Sequence, residues 1–301
     1  MPESTESPEF DYLTRYDRMA VRAAHKVISS YSTSFSLATG LLSPSVRRDI
    51  RNLYAMVRIA DEIVDGTVAA AGASHPECAQ LLDDYEAAVL NAPARRFHVD
   101  PVLHAYAQTA RRCDFDPEHV RAFFASMRRD LNQASHDRGS FDAYVYGSAE
   151  VIGLLCLQAF LVDHPVSDAE RARLEAGARS LGSAFQKVNF LRDLREDAGI
   201  LGRSYFPDID IASLTEGDKA RLVAEIRQEL IDAAAVIPLL PPTARAGVLA
   251  ATNLFTELNN RIAATPAADL TRRRISVPRP RKAAILAKAV VTSSRMKEAR
   301  S

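Results

Sequence analysis

The sequence has few cysteines, and their placement excludes two classes of site. Cys78, Cys113 and Cys156 form no CxxC pair and have no neighbouring histidine pattern, so neither a disulfide framework nor a zinc site is indicated. This cysteine usage is typical of a reducing cytoplasm. The chain also lacks any run that approaches the ~18 uninterrupted apolar residues of a membrane-spanning helix. We therefore expect a cytoplasmic protein that contacts membranes at most peripherally.

The chain also lacks net charge, because 38 Lys and Arg balance 38 Asp and Glu. Its N-terminal segment is acidic and polar, which excludes an ordinary secretory signal. The C-terminal segment has ten Lys or Arg from Arg272 onwards against one acid, Glu298. Such a segment is either a solvated tail or a contact for anionic lipid, nucleic acid or phosphate. The lack of interleaved aromatic residues disfavours nucleic acid.

Helical periodicity dominates the patterns that are present. Prolines punctuate the gaps between the helical segments, and no alternating strand pattern, βαβ unit or repeat is visible. The predicted helices cover residues about 18–30, 44–65, 78–91, 101–113, 117–133, 141–163, 168–198, 217–235, 242–264 and 281–297. The sequence therefore predicts an all-α fold, with an acidic tail over 1–19, one helical domain over 20–285 and a basic tail over 286–301.

Two pairs of aspartates with the same spacing are the strongest indication of function. Asp61 and Asp65 lie in ADEIVDG, and Asp193 and Asp197 lie in NFLRDLREDAG. Residues four apart on a helix are about 5–6 Å apart at Cβ, so each pair directs two carboxylates at one point. Like charges in this arrangement repel unless a cation binds between them. The spacing therefore predicts a divalent cation, Mg²⁺ or Mn²⁺, at these pairs.

Each pair extends into a polar stripe of four residues, within about 60° on the first helix and about 80° on the second. The first stripe consists of Tyr54, Arg58, Asp61 and Asp65. The second stripe consists of Gln186, Asn189, Asp193 and Asp197. A solvated helix face is the alternative interpretation of either pair. The first helix, however, is apolar around most of its circumference, and acids on a buried helix need a counter-charge or an ion-filled cavity.

Arginines and hydroxyl groups near the stripes are candidates for phosphate binding. Arg58 lies within the first stripe, whereas Arg192 and Arg195 point off the second stripe and could equally be surface salt-bridge partners. Residues 31–36 carry five hydroxyl groups, among them those of Ser32 and Ser34. These hydroxyls either cap helices and turns or donate to phosphate oxygens, and the sequence supports both interpretations equally.

The motifs resemble those of the squalene/phytoene synthase family. YSTSFSLATGLLSPSVRRDIRNLYAMVRIADEIVDG is similar to the first signature of that family, and GSAFQKVNFLRDLREDAGILGRSYFP is similar to the second. YVYGSAEVIGLLCL, which starts at Tyr144, resembles the helix between them. The motifs follow in the family's order, and the resemblance covers about residues 20–285. The amino-acid sequence of the motifs looks most like that of the bacterial phytoene synthases.

The resemblance implies an isoprenoid synthase fold, a single helical bundle whose two acid-bearing helices face each other across a central cavity. It implies a prenyltransferase of carotenoid biosynthesis that joins two geranylgeranyl diphosphates through prephytoene diphosphate to phytoene, with Mg²⁺ or Mn²⁺ and without NADPH. The implied metal ligands are Asp61, Asp65, Asn189, Asp193 and Asp197. The implied catalytic residues are the four aspartates with Arg58 and Tyr54. The implied substrate-binding residues are Ser32, Ser34, Phe35, Arg58, Tyr144, Gln186, Asn189, Arg192 and Tyr205.

Carbocation chemistry in such a family needs a dry pocket with aromatic faces. Candidates for these faces are Phe35, Tyr54, Tyr144, Phe185 and Phe190, each of which also suits core packing. Two positions depart from the family pattern: Phe255 replaces a common Tyr and removes a hydroxyl, and Glu150 replaces a common Gly in the helix that lines the channel. We expect Glu150 to point away from the channel.

Two alternatives stay open at this point. One is squalene or dehydrosqualene formation from farnesyl diphosphate, because the sequence does not display the depth of the cavity. The other is a non-catalytic family member that acts as an assembly or membrane-associated binding protein, although the retention of all four aspartates disfavours it. The basic C-terminal segment suits an anionic membrane surface. The sequence indicates no oligomeric state.

Overall fold

The structure, a computed structural model, describes residues 11–133, 135–199, 205–207, 209 and 213–298, without the side chains of 195–199 and 297–298. Within these ranges the chain forms α-helices with short 3₁₀ and π turns and contains no β-strand. The predicted all-α fold is therefore confirmed.

The long helices follow the predicted segments closely. In chain order the helices are α1 (Tyr12–Tyr31), α2 (Thr33–Thr39), α3 (Pro44–Val64), α4 (Thr67–Ala70), α5 (His75–Asn91), α6 (Pro101–Cys113), α7 (Pro117–Asn132), α8 (Arg138–Val145), α9 (Val151–Leu161), α10 (Asp168–Gly199), α11 (Glu216–Val236), α12 (Pro242–Ala263), α13 (Ala267–Leu270) and α14 (Arg279–Glu298). A π turn, Tyr146–Glu150, joins α8 to α9. The short helices α2, α4 and α13 were not predicted, because three or four turns of periodic pattern are needed to recognise a helix.

Capping residues explain where several helices begin. The side chains of Asp100 and Asp137 accept hydrogen bonds from the backbone N–H groups of Leu103 and Ser140, at 2.9 and 2.7 Å. Proline occupies the first position of α3, α6, α7 and α12, where its missing N–H costs no hydrogen bond. Local sequence therefore sets these boundaries.

Both terminal segments that the sequence indicated as tails contribute helices. Helix α1 starts at Tyr12 and packs against α3 and α6 through Ala20, Ala24 and Ile28, all fully buried. Helix α14 packs against α12 and buries Ile285 and Ala289. The buried positions recur every four residues in both helices, so they lie on one face of each helix. Residues 12–19 and 286–298 are therefore folded parts of the bundle.

Helix α10, with 32 residues, packs against α9, α11 and α12. Two glycines permit close approach of the helices around it. A Cβ atom on Gly153 would lie 2.4 Å from the carbonyl oxygen of Ala178, and one on Gly182 would lie 2.5 Å from that of Ala149. Residues 138–161 are long and apolar enough to cross a membrane, but 56% of the most apolar 18-residue stretch within them is buried inside the bundle, as in a core helix.

Candidate active site

The first aspartate pair lies at the C-terminal end of α3. The backbone N–H of Asp65 donates to the carbonyl of Asp61 at 2.8 Å, and Asp65 ends the helix. Gly66 follows with φ of 99°, a left-handed conformation that glycine adopts without strain. Both carboxylates are thus held where the helix dipole adds negative potential. This end of α3 attracts cations.

One arginine serves the pair. Nη1 of Arg58 lies 3.7 Å from a carboxylate oxygen of Asp61 and 3.9 Å from one of Asp65. Nη2 of Arg58 donates to Glu62, and the guanidinium lies 4.5 Å from the ring centroid of Tyr31. Glu62 was not predicted as a site residue, because its role depends on the side-chain direction of Arg58 and not on helical spacing. Three acids share one arginine, so the end of α3 stays negative.

The carboxyl group of Asp61 is destabilised in its charged form. Burial raises its pKa well above the ordinary value, the charges of Asp65 and Asp130 raise it further, and Arg58 opposes the shift. The side chain keeps 29% of its surface exposed, which leaves room for a ligand. Because a cation that joins crowded carboxylates relieves their repulsion, this geometry favours a divalent ion.

The second stripe lies on α10, and the structure describes three of its four side chains. The Oδ1 atom of Asn189 is buried and has no hydrogen-bond partner among the described residues. A buried amide oxygen without a partner is unfavourable, and coordination of a cation would satisfy it. Gln186, one turn earlier, is half-buried. The side chains of Asp197 and Arg195 lie outside the described residues, so their predicted roles stay predictions.

Two arginines surround Asp193. Nε of Arg192 lies 2.9 and 3.0 Å from its two carboxylate oxygens. Nε of Arg274, which follows α13, lies 2.9 Å from the same carboxylate. Arg192 is therefore a salt-bridge partner here, one of the two interpretations that the sequence allowed. Arg274 was not predicted, and the signal that pointed towards it was the basic run from Arg272 onwards. A bound phosphate would meet two guanidinium groups already in place.

Tyr54 connects the two stripes. Burial raises the pKa of its hydroxyl to about 12, and the group also responds to Arg58 and Asp61 on α3 and to Arg192 on α10. The stripes are therefore within electrostatic range of each other, as expected for two helices that face a common space. The side chain of Ser32 opposes this rise in the pKa of Tyr54.

The hydroxyl-rich segment forms the short helix α2. The side chain of Ser32 accepts a hydrogen bond from the backbone N–H of Phe35 at 3.2 Å and caps this helix. The capping interpretation is thus confirmed for Ser32. Phosphate binding by Ser32 and Ser34 stays a prediction.

An aromatic group joins α2, α3, α10 and α12. Phe185 stacks on Phe255, with ring centroids 3.8 Å apart, and Phe35 lies 5.6 and 5.5 Å from these rings. Phe35 also lies 6.2 Å from Tyr54, so the group borders the first stripe. Phe255 is almost fully buried in this group. Phe255 lacks the hydroxyl group of a Tyr and makes apolar contact with Phe185 instead.

A second aromatic group contains Tyr144, Phe190 and Tyr205. Phe190 and Tyr205 stack with ring centroids 4.0 Å apart, and Tyr144 lies 5.4 Å from Tyr205. The Tyr144 hydroxyl donates to Asp130 at 2.9 Å. Asp130 links this group to the first stripe, because its charge also raises the pKa of Asp61. Asp130 was not predicted, because it lies on α7, outside both motifs.

Glu150 turns towards α10 at the surface. Its carboxylate accepts a hydrogen bond from Nε of Arg179 at 3.0 Å. Burial raises the pKa of this carboxyl group, and Arg179 opposes the shift. The pairing gives this acid a counter-charge on α10, and the expectation that Glu150 points away from the channel stays a prediction.

The donor atoms of the stripes fit a divalent cation. They are hard oxygen atoms of Asp61, Asp65, Asn189 and Asp193. Among the side chains that the structure describes, no three carboxylate, imidazole or thiol groups are arranged closely enough to hold a metal ion by themselves. The predicted ligand set on α10 also includes Asp197, which lies outside them. The unpaired oxygen of Asn189 and the crowding at Asp61 are the two observations that support a bound ion.

Comparison with known proteins identifies related sequences. The family model described as squalene/phytoene synthase matches residues 28–281. Phytoene synthase 3, chloroplastic, of Zea mays is 33% identical over 206 residues, which cover 67% of this chain and 46% of the maize protein. The 15-cis-phytoene synthase of Paracoccus sp. is 32% identical over 195 residues, which cover 62% of this chain and 60% of the bacterial protein. The chain thus spans about half the length of the plant relatives that it matches.

Solved structures share the fold. A dehydrosqualene synthase in complex with ligand superposes with a TM-score of 0.73 at 19% identity, over 94% of this chain and 99% of that one. The squalene synthase HpnC of Alicyclobacillus acidocaldarius superposes with a TM-score of 0.68 at 20% identity, over 83% and 96%. The predicted isoprenoid synthase fold is therefore confirmed. Since the family model spans both aspartate stripes, the chain belongs to the squalene/phytoene synthase family.

Proposed function

We propose that this protein is a phytoene synthase, a prenyltransferase of carotenoid biosynthesis. It joins two geranylgeranyl diphosphates head to head to prephytoene diphosphate and converts this intermediate to phytoene, with release of both diphosphates. The observation that carries the proposal is the crowding of Asp61 and Asp65 on α3, together with the unpaired oxygen of Asn189 on α10. Relatives named phytoene synthase in plants and bacteria support the choice of product.

The diphosphate groups bind between the two stripes. Arg58, Arg192 and Arg274 donate hydrogen bonds to phosphate oxygens, in exchange for their present contacts with carboxylates. Asp61, Asp65, Asn189 and Asp193, with Asp197, hold Mg²⁺ or Mn²⁺. When bound, the cation stabilises the negative charge that builds up on the leaving diphosphate.

The aromatic group of Phe35, Phe185 and Phe255 lines the region next to the ionising carbon. Its faces stabilise an allylic cation and exclude water that would quench it. Tyr54 lies between this group and the charged stripe, so it separates the apolar region from the diphosphate region. The conversion to phytoene is redox-neutral, so the proposal needs no NADPH.

A direct assay tests the proposal. Purified protein is incubated with Mg²⁺ and either geranylgeranyl or farnesyl diphosphate, with and without NADPH, and the hydrocarbon is identified. We expect phytoene from geranylgeranyl diphosphate, independent of NADPH. Squalene or dehydrosqualene from farnesyl diphosphate as the main product would overturn the assignment of chain length. No product and no diphosphate release from either substrate would indicate a non-catalytic family member.

We infer a cytoplasmic protein that contacts a membrane peripherally, since a C40 hydrocarbon has to leave for one. The basic C-terminal segment was the predicted contact. In the fold, Arg273 pairs with Asp269 at 3.3 Å, Arg281 pairs with Glu257 at 2.9 Å, and Arg274 pairs with Asp193. These pairs reduce the charge that the segment offers to lipid.

A further inference from the structure

We propose that the outer face of α1, together with residues 95–99, is a docking surface for an anionic lipid bilayer. This inference concerns binding alone, so it does not depend on the proposed catalytic activity. It rests on apolar side chains and cations that the fold places on one surface, remote in sequence from the basic C-terminal segment.

The apolar part of this surface protrudes into solvent. Tyr12 is 72% exposed, Phe97 51% and Val99 85%, and Met19 is 40% exposed. These are four of the ten exposed large apolar residues in the described chain. The helix and the segment are adjacent, because Tyr12, Met19 and Phe97 line one groove. Exposed apolar residues that cluster in this way mark an interaction site.

The cations lie on the same face of the helix. The exposed side of α1 carries Arg15, Arg18, Arg22 and Lys26, which are spaced by three or four residues. The one acid within α1, Asp17, is turned inward to His104 at 2.7 Å. Asp11 caps the helix start and lies near Arg18 at the edge of the surface.

The same charge pattern continues in the adjoining segment. Arg95 and Arg96 are both exposed and precede Phe97. Asp100, at the far end, is engaged as the cap of α6. The chain as a whole has no net charge, so the rest of the molecule carries the opposite charge. This concentration of cations gives the surface a positive potential.

A buried histidine supports the protruding segment. His104 accepts a hydrogen bond at Nδ1 from the backbone N–H of His98, at 3.2 Å, and its Nε2 lies 2.7 Å from Asp17. The Tyr16 hydroxyl donates to the carbonyl of Val99 at 2.6 Å. The segment is therefore fixed to α1 and α6, and Phe97 and Val99 are presented without a large loss of conformational entropy on binding.

Lipid is the occupant that this combination fits best. Aromatic rings enter the interfacial region of a bilayer, aliphatic side chains reach the acyl chains, and arginines meet anionic headgroups. A single-stranded nucleic acid would use the rings and the cations but would leave Met19 and Val99 without a partner. A second copy of the chain would place like charges opposite each other.

Vesicle sedimentation tests the proposal with the full chain. Vesicles contain phosphatidylglycerol and phosphatidylcholine, or phosphatidylcholine alone, and no substrate is present. We expect binding to the anionic vesicles that falls with added salt. The variant Arg15→Gln/Arg18→Gln/Arg22→Gln should bind them about 100-fold more weakly, from the contribution of each surface cation. A matched control, Arg171→Gln/Arg173→Gln/Arg227→Gln, removes three exposed arginines elsewhere and should change binding less than threefold.

A second variant tests the apolar part. Phe97→Ser/Val99→Ser should weaken binding to the anionic vesicles, with the salt dependence unchanged, and circular dichroism should show the same helicity as the wild type. Equal losses of binding in the α1 arginine variant and in its matched control would overturn the proposal. Full binding by both the α1 arginine variant and Phe97→Ser/Val99→Ser would also overturn it. The proposal would likewise be overturned if binding were lost only on removal of residues 286–301, or if the protein bound single-stranded DNA instead of vesicles. A dimer that the α1 arginine variant dissociates would also overturn it. Hydrocarbon synthesis without vesicle binding would overturn this proposal alone.

Discussion

Arg274 and Asp193 form an ion pair, 2.9 Å between Nε and the carboxylate, that ties the segment after α13 to the second aspartate stripe. The pair places the largely exposed guanidinium group of Arg274 at the proposed diphosphate-binding site. We expect Arg274→Gln to raise the KM for the prenyl diphosphate about tenfold or more, with a smaller effect on kcat, because binding of the phosphate loses a charged donor. Steady-state kinetics measure this split. The neighbouring variant Arg273→Gln, which breaks only the pair with Asp269, should retain the wild-type KM, and equal effects of the two variants would contradict the assignment.

The Asp61→Asn variant should lose activity and gain stability. Turnover should fall at least about 100-fold, because a proposed ligand for the cation is lost. Burial and Asp65 raise the pKa of Asp61, so ionisation of this group destabilises the folded protein.

The sign of the pH effect follows. A carboxyl group whose pKa is raised on folding stabilises the native state at low pH, and this contribution is lost as pH rises through the raised pKa. In the absence of Mg²⁺, we expect Asp61→Asn to have a higher Tm than the wild type at pH 7 and a flatter dependence of Tm on pH. Added Mg²⁺ should raise the Tm of the wild type more than that of the variant. Asp142→Asn, at an exposed position on α8, is the control and should change neither property.

The hydrogen bond between Tyr144 and Asp130 couples the second aromatic group to the first stripe. A double-mutant cycle of Tyr144→Phe and Asp130→Asn should give a coupling energy of about 1–3 kcal/mol in urea unfolding, because each single change leaves a buried polar partner behind. The kcat/KM values should be similarly non-additive. Tyr146→Phe removes a hydroxyl two residues away and should leave both readouts near wild type. Strict additivity would show that the bond has no energetic role.

Lys187 forms a buried cluster with two acids of α11. Its Nζ lies 2.5 Å from Glu225 and 2.6 Å from Glu229. Lys187→Met should lower the free energy of unfolding by up to about 3 kcal/mol, because it leaves two carboxylates without their counter-charge. The double variant Lys187→Met/Glu229→Gln should recover part of the loss in urea unfolding. A Lys187→Met protein as stable as the wild type would show that the cluster contributes nothing to stability.

Gly153→Ala should destabilise the fold where α9 meets α10. The new Cβ atom would lie 2.4 Å from the carbonyl oxygen of Ala178, so one helix has to shift. We expect a loss of about 1–3 kcal/mol in urea unfolding. Gly217→Ala, near the start of α11, has its nearest neighbour at 3.6 Å and serves as the control. A neutral Gly153→Ala variant would mean that the helices can separate without loss of packing.

The sequence predicted the long helices and both stripes because these features depend on local spacing. Asp61 and Asp65 are one turn apart on any helix, and apolar periodicity recurs within each helix independently of the rest of the fold. The N-terminal boundaries of α3, α6, α7 and α12 were predictable for the same reason, since a proline at the first helical position acts on adjacent backbone.

Residues that reach the site through tertiary contacts were not predicted. Asp130 and Arg274 lie on other elements of the bundle, and only the packing of those elements places them near Asp61 and Asp193. Glu62 lies inside the first motif, but its role depends on the direction in which Arg58 turns. The start of α1 was predicted at residue 18 and not at Tyr12, because the buried positions of this helix begin only at Ala20.

Helix α10 has little surface left for variation, and this affects how the protein would be engineered. One side carries the polar stripe, a second carries Lys187 with its acidic partners, and a third meets neighbouring backbone at Gly182. A library aimed at the length of the product is therefore better placed on the opposing walls. Phe35 on α2 and Phe255 on α12 contact the ring of Phe185 on α10. A library on α2 and α12 should keep these two rings, which face the ionising carbon in the proposed reaction, and it leaves the polar stripe of α10 unchanged.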